Sequence, residues 1–293
     1  MARNSRVFLL FLLFGLLASD APNGRPELES NVCTIVLTRI LRIPISMLGA
    51  QVTAESLNAA PATLLVSPGA ADEPPAGPSG FDVLADGSLL INDPLRSRVS
   101  LFDSHGGFRK AWKIGFAADS LTVTANDVVL VREATTGQLH AFDREGKALQ
   151  AEEGSLPGQA EARVLNSKSG TIRRPSIGNP QGGLLEVTFD KPGSSLVSLE
   201  TLSIDQKGDT YVALETSASG DATEGINLSK YVRRYSSDGK LLCEIADIPV
   251  DYYISPIDEL RVHKGLVYQL QTTSSEVRIN VWDTNQLCSH SPH

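Results

Sequence analysis

The sequence is poor in the side chains on which most metal and thiol chemistry depends. Its 293 residues include 3 cysteines, 5 histidines, 2 methionines and 2 tryptophans. No two cysteines have the C-x-x-C spacing of a zinc site, and a three-histidine site would need ligands gathered from distant segments. We therefore predict no metal centre built from histidine or cysteine.

Basic charge and enzyme signatures are scarce as well. The formal net charge is −8, which argues against a partner bound through a nucleic-acid phosphate backbone. The chain has no G-x-S-x-G nucleophile motif, no phosphate-binding loop and no dinucleotide fingerprint. We therefore name no catalytic residue, and we favour a protein that is not an enzyme.

The longest apolar run is Val7–Ala18, which is too short for the roughly 20 residues of a bilayer-spanning helix. Two arginines precede it and small residues follow it, as in a secretory signal peptide. We predict that residues 1–19 are this signal, that the mature chain has no membrane span, and that the protein is secreted or periplasmic. An uncleaved anchor is the alternative.

Export permits disulfides. Cys243 and Cys288 lie in or next to strand-like segments near the end of the chain, whereas Cys33 is far from both. A Cys243–Cys288 bridge with Cys33 left over is one of two interpretations that the sequence leaves open. Three unpaired thiols are the alternative.

Short strand signals joined by tight turns dominate from Phe81 onward. Four of them follow one another in about 34 residues, around an Asp86-Gly87 turn of the kind that favours hairpins. A single sheet of this size cannot bury both of its faces. The pattern recurs from Ser120, from Leu199 and from Asp258. A less regular, blurred copy lies between Gly154 and Asp190.

Radial repetition of four-stranded sheets is typical of a β-propeller. We predict an all-β fold, a β-propeller of four-stranded antiparallel blades, with five or six blades and six favoured. The sixth blade would use N-terminal strand patches, shared with the C-terminus. The expected layout is an N-terminal segment at 20–60, a Pro/Ala/Gly-rich segment at 61–80, the propeller at 81–288 and a mobile tail at 289–293.

The segment Pro78–Phe108 (PSGFDVLADGSLLINDPLRSRVSLFDSHGGF) resembles the NHL-type β-propeller repeat. Asp93, Arg98 and Phe102 occupy the positions of that repeat's Asp, Arg and Phe. The resemblance implies a propeller, in which Asp93 pairs with Arg98 and Phe102 packs between blades. Such propellers serve as interaction platforms, sugar or peptide binders, lyases and calcium-dependent hydrolases. The metal-using lyases depend on histidines, which are scarce in this chain.

Four acidic residues recur at the start of the innermost strand of four units. Carboxylate oxygens are preferred calcium ligands, so these acids predict a ring at one mouth of the channel that binds calcium or a basic group. The alternative is that they cap loops and keep that face soluble. The four residues are Asp82, Asp119, Glu200 and Asp258.

A polar insertion, Thr216–Lys230, separates two strands of one blade and is read either as a recognition loop or as a passive flexible loop. It contains the glycosylation sequon Asn227-Leu228-Ser229.

The function we predict is an exported binding or scaffolding module. It would engage a protein, peptide or glycan through the loops of one face, without a cofactor other than candidate calcium. The alternative is a calcium-assisted hydrolase or lyase with an acidic ring at the channel mouth. A structural extracellular component is a third class.

Overall fold

The computed structural model describes residues 32–48, 60–150, 162–176, 179–219 and 226–286. The predicted signal peptide, parts of the 20–60 segment, the tail at 289–293 and Cys288 lie outside these ranges. Residues Val32–His293 form one compact unit. The described residues form strands and one short 3-10 helix, with no α-helix, which confirms the all-β prediction. No helix among them is long and apolar enough to span a membrane.

Within the described ranges, twenty strands form five sheets. The first sheet contains β4 (Phe81–Val83), β5 (Leu89–Asp93), β6 (Arg98–Phe102) and β7 (Phe108–Lys113), with the 3-10 helix Pro94–Arg96 after β5. The second contains β8 (Ala118–Val123), β9 (Val129–Glu133) and β10 (Leu139–Phe142), and the third β11 (Ala162–Asn166), β12 (Ser169–Ser176) and β13 (Asn179–Thr188). The blurred repeat therefore does form a sheet.

The last two sheets recruit strands from the N-terminus. The fourth sheet contains β14 (Ser194–Ile204), β15 (Thr210–Ser219), β16 (Ile226–Tyr235) and β17 (Leu241–Ile248), with β1 (Cys33–Ile35) parallel to β17. The fifth contains β18 (Leu260–His263), β19 (Leu266–Thr272) and β20 (Glu276–Asp283), extended by β2 (Arg39–Met47) and β3 (Leu64–Val66).

Tight turns repeat with the sheets because the same residue types recur in them. Asp103 Oδ1 accepts hydrogen bonds from the backbone N–H groups of His105 (2.9 Å) and Gly107 (2.8 Å). Asp143 Oδ1 makes the equivalent bonds to residues two and four positions on. The glycine three positions after each aspartate has a positive φ, +85° at Gly106, which favours glycine. An Asp-x-x-Gly pattern thus specifies these turns.

Neighbouring sheets contact one another through their first strands. These contacts run in the order β8, β4, β18, β14, β11. The fifth sheet therefore lies beside the first, although the two are far apart in the chain, as in a propeller. β2 closes the ring by pairing antiparallel with β20, from Arg39↔Val281 to Pro44↔Glu276.

Strands from both chain ends close the ring, as we expected. However, the described N-terminal strands join the fourth and fifth sheets and form no sheet of their own. The described residues thus account for five sheets.

Apolar side chains fill the spaces between neighbouring sheets. Phe102, 1% exposed, packs with Phe81 of its own sheet and with Ile43, Leu270 and Ile279 of the fifth sheet. Similar clusters lie between the first and second, third and fourth, and fourth and fifth sheets. The predicted placement of Phe102 between blades is confirmed.

A buried ion-pair cluster fastens the N-terminal region to the first sheet. Arg98 Nε lies 2.8 Å from Asp93 Oδ2, which confirms the predicted pair, and Arg96 Nη1 lies 3.1 Å from the same oxygen. Both arginines also donate hydrogen bonds to the carbonyl oxygen of Thr63, just before β3. Burial raises the pKa of Asp93, although both arginines oppose this effect. We call Asp93, Arg96 and Arg98 the Asp93 clamp.

Neither alternative for the cysteines is correct. Cys33 is disulfide-bonded, whereas Cys243 is a free thiol that is 3% exposed. Cys33 lies on β1, which pairs parallel with β17 although the two strands are far apart in the chain. Nothing local in the sequence specifies that parallel contact.

We expect the Cys243 thiol to be inert in the folded protein. Burial raises its pKa to about 11, so little thiolate exists near neutral pH, and the packed sheet excludes reagents. Iodoacetamide followed by mass spectrometry should leave Cys243 unmodified without denaturant and modify it fully in denaturant without reductant. Complete labelling of the folded protein would contradict this burial.

Candidate functional site

Three of the four predicted acids converge where the first, second and fifth sheets meet. Asp82 lies on β4, Asp119 lies on β8, and Asp258 precedes β18 by two residues. A Cβ atom at Gly80 would lie 2.9 Å from Asp258 Oδ2 and 3.1 Å from the Asp119 carbonyl oxygen. The glycine therefore permits this close approach of three sheets.

Asp82 is held by donors from two strands. Its Oδ1 accepts a hydrogen bond from the N–H of Val83 (2.7 Å), and its Oδ2 accepts from the N–H of Val123 (2.7 Å) and from Thr122 Oγ1 (3.1 Å). Asp82 thus links β4 to β8. Burial raises its pKa, although the positive charge of Arg261 and these hydrogen bonds oppose the effect.

Two arginines face the three acids. Arg261 Nη2, on β18, lies 2.7 Å from Asp258 Oδ1, and Arg261 Nε lies 3.8 Å from Asp82 Oδ1. Arg132 Nε, on β9, lies 2.8 Å from Asp119 Oδ1. The hydrogen bond with Asp119, together with the charges of Asp119 and Asp258, raises the pKa of Arg132. We call these five residues the acid–arginine cluster.

Backbone contacts complete the acid–arginine cluster. Asp258 Oδ2 accepts a hydrogen bond from the N–H of Leu121 (3.1 Å), and Arg261 Nη2 donates to the Leu121 carbonyl oxygen (3.2 Å). The fifth sheet is thus bound to the second across the ring. The arrangement of three acidic and two basic side chains thus links three sheets.

Glu200 is not brought to the cluster by any contact described for this chain. It lies exposed within β14, in register with Ala213 of β15. Among the described residues, no group of three or more His, Cys, Asp or Glu side chains is arranged to hold a metal ion. Calcium binding by these acids stays a prediction.

Sequence reasoning missed a second polar cluster, between the fourth and fifth sheets. Lys230 Nζ, on β16, lies 2.9 Å from Glu215 Oε1 and also pairs with Glu259. Tyr252 donates its hydroxyl proton to Glu259, and buried Gln269 donates to both Glu259 Oε1 (3.0 Å) and Tyr252 Oη (2.8 Å). Burial opposes the charge on Lys230, but the two carboxylates raise its pKa overall.

The polar insertion forms strands in its described part. β15 and β16 remain paired from Thr210↔Tyr235 to Ser219↔Ile226, and β14 follows β15 as far as Ser194↔Ala218. The loop that we predicted over 216–230 is therefore wrong for residues 216–219 and 226–230. Strands of the fourth sheet reach 10 or 11 residues, against 3 to 6 in the first sheet. We call 216–219 and 226–230 the extended hairpin.

The raised pKa of Asp82 predicts a pH-dependent contribution to stability. Because the folded state holds this proton more tightly, the contribution is complete below the ordinary value of 3.8 and is lost as the pH rises through the folded-state pKa. Asn does not titrate. We therefore expect the cost of Asp82→Asn in free energy of unfolding to be largest below the ordinary pKa of 3.8 and to shrink as the pH rises above it.

Urea unfolding of both proteins across this range measures that difference. The comparison with the variant cancels the contributions of Asp86 and Glu276, whose pKa values are lowered. A cost that grows with pH would show that the ionised form of Asp82 stabilises the fold.

No family model and no curated protein matches this chain. Similar solved structures include a DUF4221 member from Bacteroides vulgatus (8% identity, 86% of this chain and 98% of that one, TM-score 0.34). A Xanthomonas campestris gluconolactonase has 12% identity over 82% and 97% of the two chains, with a TM-score of 0.32.

A Staphylococcus aureus virginiamycin B lyase has 11% identity over 66% of this chain and 77% of that one, with a TM-score of 0.30. Likenesses this distant carry no conclusion about ligand or reaction. No family model supports the predicted NHL-type membership, and the propeller assignment rests on the sheets of this chain.

Proposed function

We propose that this protein is an exported binding module that engages a protein or peptide through the extended hairpin. The observation that carries the proposal is that the insertion forms an ordered strand pair with exposed apolar side chains. Leu228 is 49% exposed there, and Val197 on the adjoining part of β14 is exposed to the same degree. Ordered apolar groups lose little conformational entropy on binding, which favours association with a partner.

The second candidate, a calcium-assisted hydrolase or lyase, has weaker support. The carboxylates of the acid–arginine cluster already accept backbone N–H groups and arginine donors. A cation entering there would have to displace Arg261 and Arg132 from their partners. The cluster is better suited to holding three sheets together.

Export is supported by two independent features. The N-terminal sequence has the charge and length pattern of a signal peptide. Cys33 is disulfide-bonded, which is typical of an oxidising compartment.

Photocrosslinking from matched positions tests the binding proposal. A benzoylphenylalanine at Ser217, in register with Leu228, should give a discrete protein adduct in intact producing cells. The same probe at Ser104, equally half-buried in the turn after β6, should give none. Leu228→Asp should suppress the Ser217 adduct. Equal adducts from both positions, or none from Ser217, would overturn the proposed binding surface.

A further inference from the structure

The sequon Asn227-Leu228-Ser229 lies on β16, within the extended hairpin. It is the chain's single N-x-[Ser/Thr] triplet without proline in the middle. Asn227 is exposed, as an acceptor for a bulky oligosaccharide must be.

The surroundings of Asn227 leave room for a sugar. Its cross-strand neighbour is Ala218 on β15, and the next residue in that row is Ser194 on β14. Both side chains are small. On the other side of β16, the ladder to β17 ends at Lys230↔Ile248, three residues before Asn227 is reached. Among the described strands, only β15 therefore flanks the acceptor.

A glycan on Asn227 and a partner bound at Leu228 would lie on opposite faces of the extended hairpin. Asn227 and Leu228 are consecutive in β16, so their side chains point to opposite faces of the sheet. A glycan on Asn227 would cover the face opposite to Leu228. It would leave the apolar side available to the partner of the proposed function.

We propose that Asn227 is an N-glycosylation site when the chain passes through a eukaryotic secretory pathway. The inference rests on the proposed export. The Asn227 side-chain nitrogen attacks the anomeric carbon of a lipid-linked oligosaccharide diphosphate. The carbon–nitrogen bond forms, the carbon–oxygen bond to the diphosphate breaks, the lipid diphosphate leaves, and the amide loses one proton. The donor is the only co-reactant.

The test is expression of the full chain with its own N-terminus in cultured eukaryotic cells. Peptide:N-glycosidase should remove one glycan and convert Asn227 to aspartate, which peptide mass spectrometry detects. The variant Asn227→Gln should lack the glycan.

A second variant provides a matched control. Lys168→Ser completes a new sequon that begins at Asn166, in the exposed turn between β11 and β12. We expect this variant to carry glycans at both Asn166 and Asn227. A glycan on Asn166 with an unmodified Asn227 would overturn the inference while leaving export intact. Absence of both glycans would overturn export, and the inference with it.

Discussion

Replacing Asp93 by alanine should lower the free energy of unfolding by about 3–5 kcal/mol, because it leaves buried cations without their partner. The Asp93 side chain is fully buried, and Arg96 and Arg98 are 3% and 11% exposed. Both arginines also hold the Thr63 carbonyl oxygen, so the effect should reach β3. Urea unfolding measures the loss, and limited proteolysis should show faster cleavage near residue 63.

An exposed ion pair between β7 of the same sheet and the turn after β10 gives the control. Lys110 and Glu145 lie 3.7 Å apart with 37% and 72% of their side chains exposed. Lys110→Ala should change the free energy of unfolding by less than about 1 kcal/mol, as for surface ion pairs in general. Similar losses in the two variants would mean that the Asp93 clamp does not stabilise the fold.

Ile43→Ala should cost about 2–5 kcal/mol, through the lost transfer free energy and the cavity left behind. Ile43 is fully buried on β2, the N-terminal strand that pairs with β20 to close the ring. Because it packs between the fifth and first sheets, its loss weakens the contact that joins the two ends of the chain.

Ile40 on the same strand provides the comparison. It is 37% exposed, so Ile40→Ala should cost less than about 1 kcal/mol. Chemical denaturation of the two variants measures the difference. Equal costs in free energy of unfolding would indicate that the Ile43 side chain is not buried between the fifth and first sheets.

Local patterns predicted the sheets well where neighbouring strands are joined by short turns. Asp86-Gly87 and the recurring Asp-x-x-Gly turns place hairpins directly in the sequence. The destinations of β1 and β3 could not be predicted in this way. β1 pairs parallel to β17, far away in the chain, and β3 pairs parallel to β2 across the long connection 48–63. Parallel contacts need long connections and leave no hairpin signal in the sequence.

The site was predicted in part for a similar reason. Asp82, Asp119 and Asp258 occupy equivalent positions in their repeats, and this was enough to predict that they lie close together. The partners Arg132 and Arg261 depend on which sheets meet across the ring, which no single repeat reveals. Glu200 lies deep within β14, whereas Asp82 and Asp119 lie near the start of their strands. Its ladder also contains register shifts at Leu196/Ser198 and Thr201/Ser203, which displace the repeat position.

We propose that the converging acids are structural and that the protein acts by binding a partner elsewhere. Thermal unfolding of residues 20–293, after chelation and then with added calcium, tests this most directly. A cation bound only by the folded state would raise the free energy of unfolding by about 2.7 kcal/mol at a hundredfold excess over its Kd. We expect no shift of Tm with calcium in the wild-type chain. A saturable rise that Asp82→Asn or Asp258→Asn abolishes would contradict the account and favour the calcium-assisted enzyme.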